Sequence, residues 1–302
     1  MTSPSVAVAA RPGLLARIRR SPLARNRAAL VGLAIFIPLL AMTFLPSLLA
    51  GDPNAQELSR SLRAPGDGLL LGADKLGRDV WARIVHGAAP TLLGALVVVA
   101  ISGLVGIPLG LVAGYYGGRV DAVIMRVLDA LLAFPALLLA ILVVATFGRG
   151  LTTVVIALGV IYVPAMARLV RSVTLVHARL AYVDACRALG YSDARILFRQ
   201  ILPNLVAAVV VQSTIDLAYA ILDIAALSFL GLGQQPPDPD WGSMLADARM
   251  YLLQSPWTAL ASGGAIMLAV ISVNLIGDGL RAQLDPRERE RRPRALEEVH
   301  PR

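Results

Sequence analysis

The sequence predicts an all-α, polytopic membrane protein with six transmembrane helices, and three observations carry that prediction. Hydrophobic side chains make up 57% of the 302 residues and charged ones 16%, which is more apolar surface than one soluble core can hide. The apolar residues also run on without charges over stretches close to or above the roughly 20 residues that a spanning helix needs. Finally, the basic residues gather in alternate loops, the pattern left when one membrane side collects arginine.

Taken in order, residues 1–27 form an arginine-rich tail. The run 28–51 exceeds the roughly 7 to 15 apolar residues of a cleavable signal core and reads as a retained anchor. A loop follows from about 52 to 86, with the turn string Pro65, Gly66, Asp67, Gly68 and then DKLGRDVWARIVHGA, a short polar helix expected at the surface. Runs 87–118, 130–148 and 150–167 give the second to fourth spans. Lipid-embedded helices tolerate prolines such as Pro38, Pro46, Pro108, Pro135 and Pro164 when neighbours satisfy the freed backbone groups. Run 200–237, broken only by Asp216 and Asp223, is the fifth span, and 250–277 the sixth. Between them GLGQQPPDPDWGSML is stiff without being helical. The division is therefore a tail 1–27, a membrane domain 28–281 with a polar loop at 173–203, and a sign-alternating tail 282–302.

Arginine placement orients this map. With the N-terminus inside, the inner segments hold 21 of the 28 basic residues and the outer ones hold seven: Arg60, Arg63, Lys75, Arg78, Arg83, Arg149 and Arg249. Both termini are therefore expected in the cytoplasm. Charge spread over loops on one side does not form a nucleic-acid-binding face.

The ingredients of an enzyme are missing from the sequence. His86, His177 and His300 lie in separate segments, outside any metal-ligand spacing, and no metal is expected. Lys75, the sole lysine, stands between Asp74 and Leu76, so a phosphate-binding Gly-Lys-Ser/Thr loop is excluded. The lone Cys186 can form no intrachain disulfide. One stretch, YVDACRALGYSDARILFRQILPN (182–204), reads like ordinary soluble protein. Gly190 suits a left-handed helix end, Ser192 or Asp193 a cap, and Ala194, Leu197, Phe198 and Ile201 one apolar helical face, with Pro203 ending that helix. Spans only a few residues away on both sides argue against DNA and favour docking of a cytoplasmic partner.

At these residues the sequence resembles the membrane component of binding-protein-dependent ABC importers, in particular the C-type subunit of the dipeptide, oligopeptide and nickel permease family. The loop signature appears as Asp184-Ala185-Cys186, Gly190 and Leu202-Pro203. LGADKLGRD (71–79), AGYYGGRVD (113–121), MRVLDALLAFPALLLAI (125–141), ARLVR (167–171), LSFLGLG (227–233), PPDPDWGSML (236–245) and NLIGDGLRAQLDP (274–286) extend the resemblance over nearly the whole chain. Asp184 replaces a usual glutamate, Cys186 an alanine, Gln200 a histidine or isoleucine, and Ile224 a glutamate.

The resemblance implies a type I importer transmembrane domain in a prokaryotic cytoplasmic (inner) membrane. It implies a heterodimer with a homologous permease, two ABC ATPases that carry the ATP and magnesium, and an extracytoplasmic substrate-binding protein. This chain would bind no cofactor and catalyse no chemistry. Asp184, Ala185, Cys186, Gly190, Ser192, Arg195, Leu202 and Pro203 become ATPase-coupling positions, and Asp74, Gly77, Arg78, Asp79, Pro237 and Trp241 candidates for contact with the binding protein. Short peptides are the implied cargo, with nickel chelates or glutathione as alternatives within the same subunit type.

Gln212, Asp216, Tyr219 and Asp223, at offsets 0, 4, 7 and 11, form one stripe on the fifth span. A central aspartate costs roughly 2.5 to 3.5 kcal/mol on insertion scales, so the stripe should face a wet path or a partner interface. An ion-coupled secondary transporter would use the two aspartates as a proton relay instead. Asp129, three residues after Arg126, is expected to pair with it.

Overall fold

In the computed structural model, which describes residues 27–284, the chain is almost entirely helical, and the described residues hold no strand beyond two isolated bridges. In chain order the helices of eight or more residues are α1 (Arg27–Phe44), α2 (Val80–Tyr116), α3 (Gly118–Leu132), α4 (Ala136–Phe147), α5 (Leu151–His177), α6 (Ala181–Ala188), α7 (Asp193–Phe229), α8 (Trp241–Ala248) and α9 (Trp257–Leu284). The two tails lie outside the described residues except for Arg27 and residues 282–284.

Helices α1, α2, α5, α7 and α9 are each long and apolar enough to cross a bilayer. The third span expected at 130–148 is not one helix. Pro135 disfavours helical geometry in the residue before it and removes a backbone donor, so the apolar run breaks and α3 meets α4 at 82°. With 12 residues, α4 reaches about 18 Å at 1.5 Å per residue, short of the roughly 30 Å hydrocarbon core. A sixth crossing exists only if the bent pair is counted as one.

Two other boundaries shift for local reasons. The polar stretch 74–88 does not form a separate surface helix: Asp79 Oδ1 accepts the Trp81 N–H at 2.9 Å, and the helix it caps continues to Tyr116. Val80, Ala82, Ile84 and Val85 are buried, so these turns are the packed beginning of the second span. At the other polar stretch, Pro203 does not end a helix. Residues Ile196–Ile201 wind as a π-helix, whose i→i+5 bonding absorbs an extra residue, and the rod runs unbroken from Asp193 to Phe229.

Packing rests on small residues, as expected where lipid removes the hydrophobic drive between helices. Gly106, Gly110 and Gly114 share one face of α2 at intervals of four. A Cβ on them would lie 2.9 Å from Met166 Cβ, 2.5 Å from the Ala167 carbonyl and 2.8 Å from the Arg171 carbonyl. Gly159 of α5 reciprocates against Ile101, at 2.8 Å. On the other side of the bundle, Gly32 of α1 meets the Ser272 carbonyl of α9 at 2.9 Å, and Gly277 of α9 meets Thr214 of α7. Helix α3 is held to α5 by ion pairs of Arg171 with Asp121 and Arg168 with Asp129. Asp129 thus pairs across helices with Arg168, not with Arg126 as its spacing indicated: α3 turns it toward α5 and leaves Arg126 exposed.

Candidate functional site

One end of the bundle carries the hairpin formed by α6 and the start of α7. Gly190 adopts φ +76°, the Gly190 N–H donates to the Arg187 carbonyl and the Tyr191 N–H to the Cys186 carbonyl. These two bonds are the Schellman closure. The hairpin's inner side is apolar: Val183, Ile196, Leu197 and Ile201 are buried with Leu111 of α2 and Met166 and Val170 of α5. The expected face is therefore rotated, because the π turn brings Ile196 inward and leaves Ala194 and Phe198 exposed. Ser192 makes no side-chain capping bond, and the Asp193 carboxylate is engaged elsewhere.

Asp184, Ala185, Gly190, Ser192, Arg195 and Pro203 are exposed, while Cys186 and Leu202 are partly buried. Asp184 pairs with Arg187 at 3.1 Å, and Arg195 stacks 4.1 Å above the Tyr191 ring. Leu189, at the hairpin tip, is 72% exposed. The exposed leucine stands beside a carboxylate and two guanidinium groups, so the surface of the tip is mixed in character. Sequence reading missed what ties this hairpin down. Tyr115 and Tyr116, on the last turn of α2, donate their hydroxyls to Asp193 Oδ1 and Oδ2 at 2.8 and 3.0 Å. Two adjacent tyrosines closing a long apolar run just before Gly117-Gly118 were the available signal.

Within the bundle the α7 stripe is only partly gathered. Gln212 donates to Asp216 Oδ1 at 2.8 Å, and Tyr162 of α5 donates to Asp223 Oδ2 at 2.7 Å. Asp216 is 5% exposed and its Oδ2 has no hydrogen-bond partner, whereas Tyr219 stands 60% exposed. A buried carboxylate oxygen left without a donor is costly. Asp216 is thus turned into the subunit, while Tyr219 looks outward.

The opposite end is a cap built from residues 52–79, the proline loop and α8. Asp74 accepts the Leu76 and Arg78 N–H groups and Arg78 Nε, the last at 2.7 Å, and lies 3.8 Å from Arg83 Nε. Arg83 reaches the carbonyls of Pro53 and Pro237 at 3.2 and 3.4 Å. Gly77 sits at φ +71°, where a Cβ would fall 1.9 Å from the Glu57 carbonyl. Trp241 is fully buried and donates to the Ile84 carbonyl at 2.9 Å. Asp240 caps α8 through the Gly242 and Ser243 N–H groups, and burial raises its carboxyl above the ordinary aspartate value.

Of the residues expected to touch a binding protein, Asp74, Gly77, Arg78 and Trp241 are therefore buried in the subunit's own cap, and Asp79 is spent on capping α2. Pro237 is exposed, beside exposed Gln235, Pro236 and Asp238. Among the described residues no group of three or more His, Cys, Asp or Glu side chains could hold a metal ion.

Comparison with known proteins places this architecture. The sequence model of the binding-protein-dependent transport system inner membrane component matches residues 106–290. A putative peptide transport system permease protein of Brucella abortus is 45% identical over 88% of this chain and 90% of its own. A dipeptide transport system permease protein of Alkalihalophilus pseudofirmus is 42% identical over 88% of each chain. A glutathione transport system permease protein of Pectobacterium atrosepticum is 45% identical over 78% of each. Among solved structures, a chain of the inward-facing MetNI methionine ABC transporter superposes with a TM-score of 0.54 at 18% identity, over 67% of this chain and 96% of that one, a likeness of fold alone. The chain belongs to the family of binding-protein-dependent transport system inner membrane components.

Proposed function

We propose that this chain is one of two homologous membrane subunits of an ATP-driven importer for short peptides, and that the 182–204 hairpin is the handle through which ATPase subunits drive it. The observation that carries the reading is the construction of the hairpin. Its tip is exposed and its base is packed against α2 and α5, while its second strand of chain is the same rod as the fifth span. A push on such an element reaches the bundle with little lost to local flexing. Relatives named for peptide, dipeptide and glutathione transport support the cargo class.

In this reading the cytoplasm holds the hairpin and both termini, in line with the arginine distribution. ATP and magnesium stay on the partner ATPases, and the chain itself catalyses nothing. Gln212, Asp216, Tyr219 and Asp223 border the path, with Tyr219 offered to it directly and Asp216 behind it. The cap meets the binding protein through exposed Gln235, Pro237 and Asp238, on a frame built by Asp74, Gly77, Arg78, Asp79 and Trp241.

The test is reconstitution in liposomes with partner permease, ATPases and a loaded binding protein. Labelled peptide should accumulate only with ATP and all components. Uptake by this chain alone under a proton gradient would replace the reading with ion-coupled transport.

A further inference from the structure

Five polar groups at the base of the hairpin form one connected network spanning three elements. Tyr115 and Tyr116 of α2 both donate to Asp193, the first residue of the α7 rod, one hydroxyl to each carboxylate oxygen. Arg187 of α6 lies 5.1 Å over the Tyr115 ring, with Nε 3.4 Å from the Tyr115 hydroxyl, and pairs through Nη1 with Asp184. The two tyrosine rings meet edge to face at 5.2 Å between centroids, an arrangement that fixes both hydroxyls toward one carboxylate.

What this network joins gives it meaning. Asp184 stands on the exposed side of the hairpin, whereas α2 runs unbroken to Val80 at the opposite end of the bundle. There Asp79 caps it, and its Arg83 side chain and Ile84 carbonyl hold the proline loop and Trp241. Over the part of α2 nearest the hairpin, the seam of Gly106, Gly110 and Gly114 holds the helix close against α5. Near the hairpin, α2 also packs through Leu111, in the same apolar cluster as Val183 and Ile196. That contact is non-directional and permits sliding, as apolar contacts do. The tyrosine-aspartate bonds are directional and fix register.

We infer that Asp193, gripped by Tyr115 and Tyr116, is a positioning residue: the latch that makes α2 follow the hairpin, so that nucleotide state at one face is felt by the cap at the other. Charge-assisted bonds suit a latch, being strong for their length and yet exchangeable with water at an exposed site. Arg187 bridges the latch and Asp184, so the exposed side of the hairpin is tied into the same network that holds α2. The inference rests on the proposed function, because it needs an ATPase at the hairpin and a binding protein at the cap.

The experiment measures binding-protein affinity for the reconstituted complex with and without a non-hydrolysable ATP analogue. It compares the wild-type chain with the Tyr115→Phe/Tyr116→Phe double variant, which keeps both rings and removes only the hydroxyls. Linkage makes the ratio of the two affinities a direct readout of coupling. The wild type should show a nucleotide-dependent ratio, and the double variant should bring that ratio about tenfold closer to one, with nucleotide-free affinity and ATPase binding unchanged. Asp193→Asn, which weakens the shared acceptor, should fall between them. A double variant with the wild-type ratio overturns the latch. Loss of ATPase binding in the wild type would instead overturn the proposed function, and a fall in nucleotide-free affinity in step with the ratio would mean that the tyrosines serve folding alone.

Discussion

The two ends of this molecule use the same kinds of side chain in opposite ways. At the cap, Asp74 pairs with Arg78 and Arg83, Arg83 also reaches the Pro53 and Pro237 carbonyls, and Trp241 donates to the Ile84 carbonyl, all four side chains being buried. At the hairpin, Tyr116 donates to Asp193 at 3.0 Å and Arg187 to Asp184 at 3.1 Å, both in contact with water. Breaking a buried pair carries a large penalty, whereas an exposed pair contributes little to stability. In the proposed reading, the cap keeps its shape while the hairpin is gripped and moved.

The largest effect should come from leaving the cap's charges unpaired. Asp74→Ala strands Arg78 and Arg83 in a buried site and should cost about 3 to 5 kcal/mol, read as a loss of folded subunit in a detergent thermal melt. Trp241→Phe keeps most of the apolar contact and removes only the donor to the Ile84 carbonyl. It should cost about 1 to 3 kcal/mol by the same melt. At the hairpin, Asp184→Ala should change stability by less than about 0.5 kcal/mol, yet weaken ATPase association in a pull-down of the assembled complex. A melt as sensitive to Asp184→Ala as to Asp74→Ala would erase the contrast between the ends.

The smallest effect concerns pH. Burial raises the Asp240 carboxyl above 3.8, so over the interval above that value the folded protein keeps a proton that the unfolded chain has released. The contribution is present at low pH and is lost as pH rises through the raised value. Melting temperature should therefore decline over that interval, and Asp240→Asn should flatten the decline.

Patterns set by neighbours in the chain were legible in the sequence, and contacts between distant segments were not. Gly190 was readable because a helix followed by a polar restart calls for a left-handed residue, and the structure gives it φ +76°. The runs that became α1, α2, α5, α7 and α9 were readable from continuity alone. Pro135 and Pro203 look alike in sequence and behave oppositely, since the first breaks the chain by 82° and the second is absorbed after a π turn. Only packing decides between these outcomes. Asp129 had Arg126 within helical reach but takes Arg168 from another helix, and the hold on Asp193 comes from tyrosines nearly 80 positions earlier. The motif at 71–79 was visible as a conspicuous polar string, but its burial comes from the segment 57–65, which bonds it through the Arg63 carbonyl and the Leu62 N–H, and Lys75 reaches Asp247 of α8 from 172 positions away.

The account turns on the hairpin facing the cytoplasm and being covered there by an ATPase, and thiol labelling tests both at once. Leu189→Cys in a Cys186→Ala background places the sole thiol at the exposed tip. A membrane-impermeant maleimide should label it in inside-out vesicles and not in intact cells, and ATPase subunits should slow that labelling. Labelling from the outside, or a rate indifferent to the ATPase, would contradict the account.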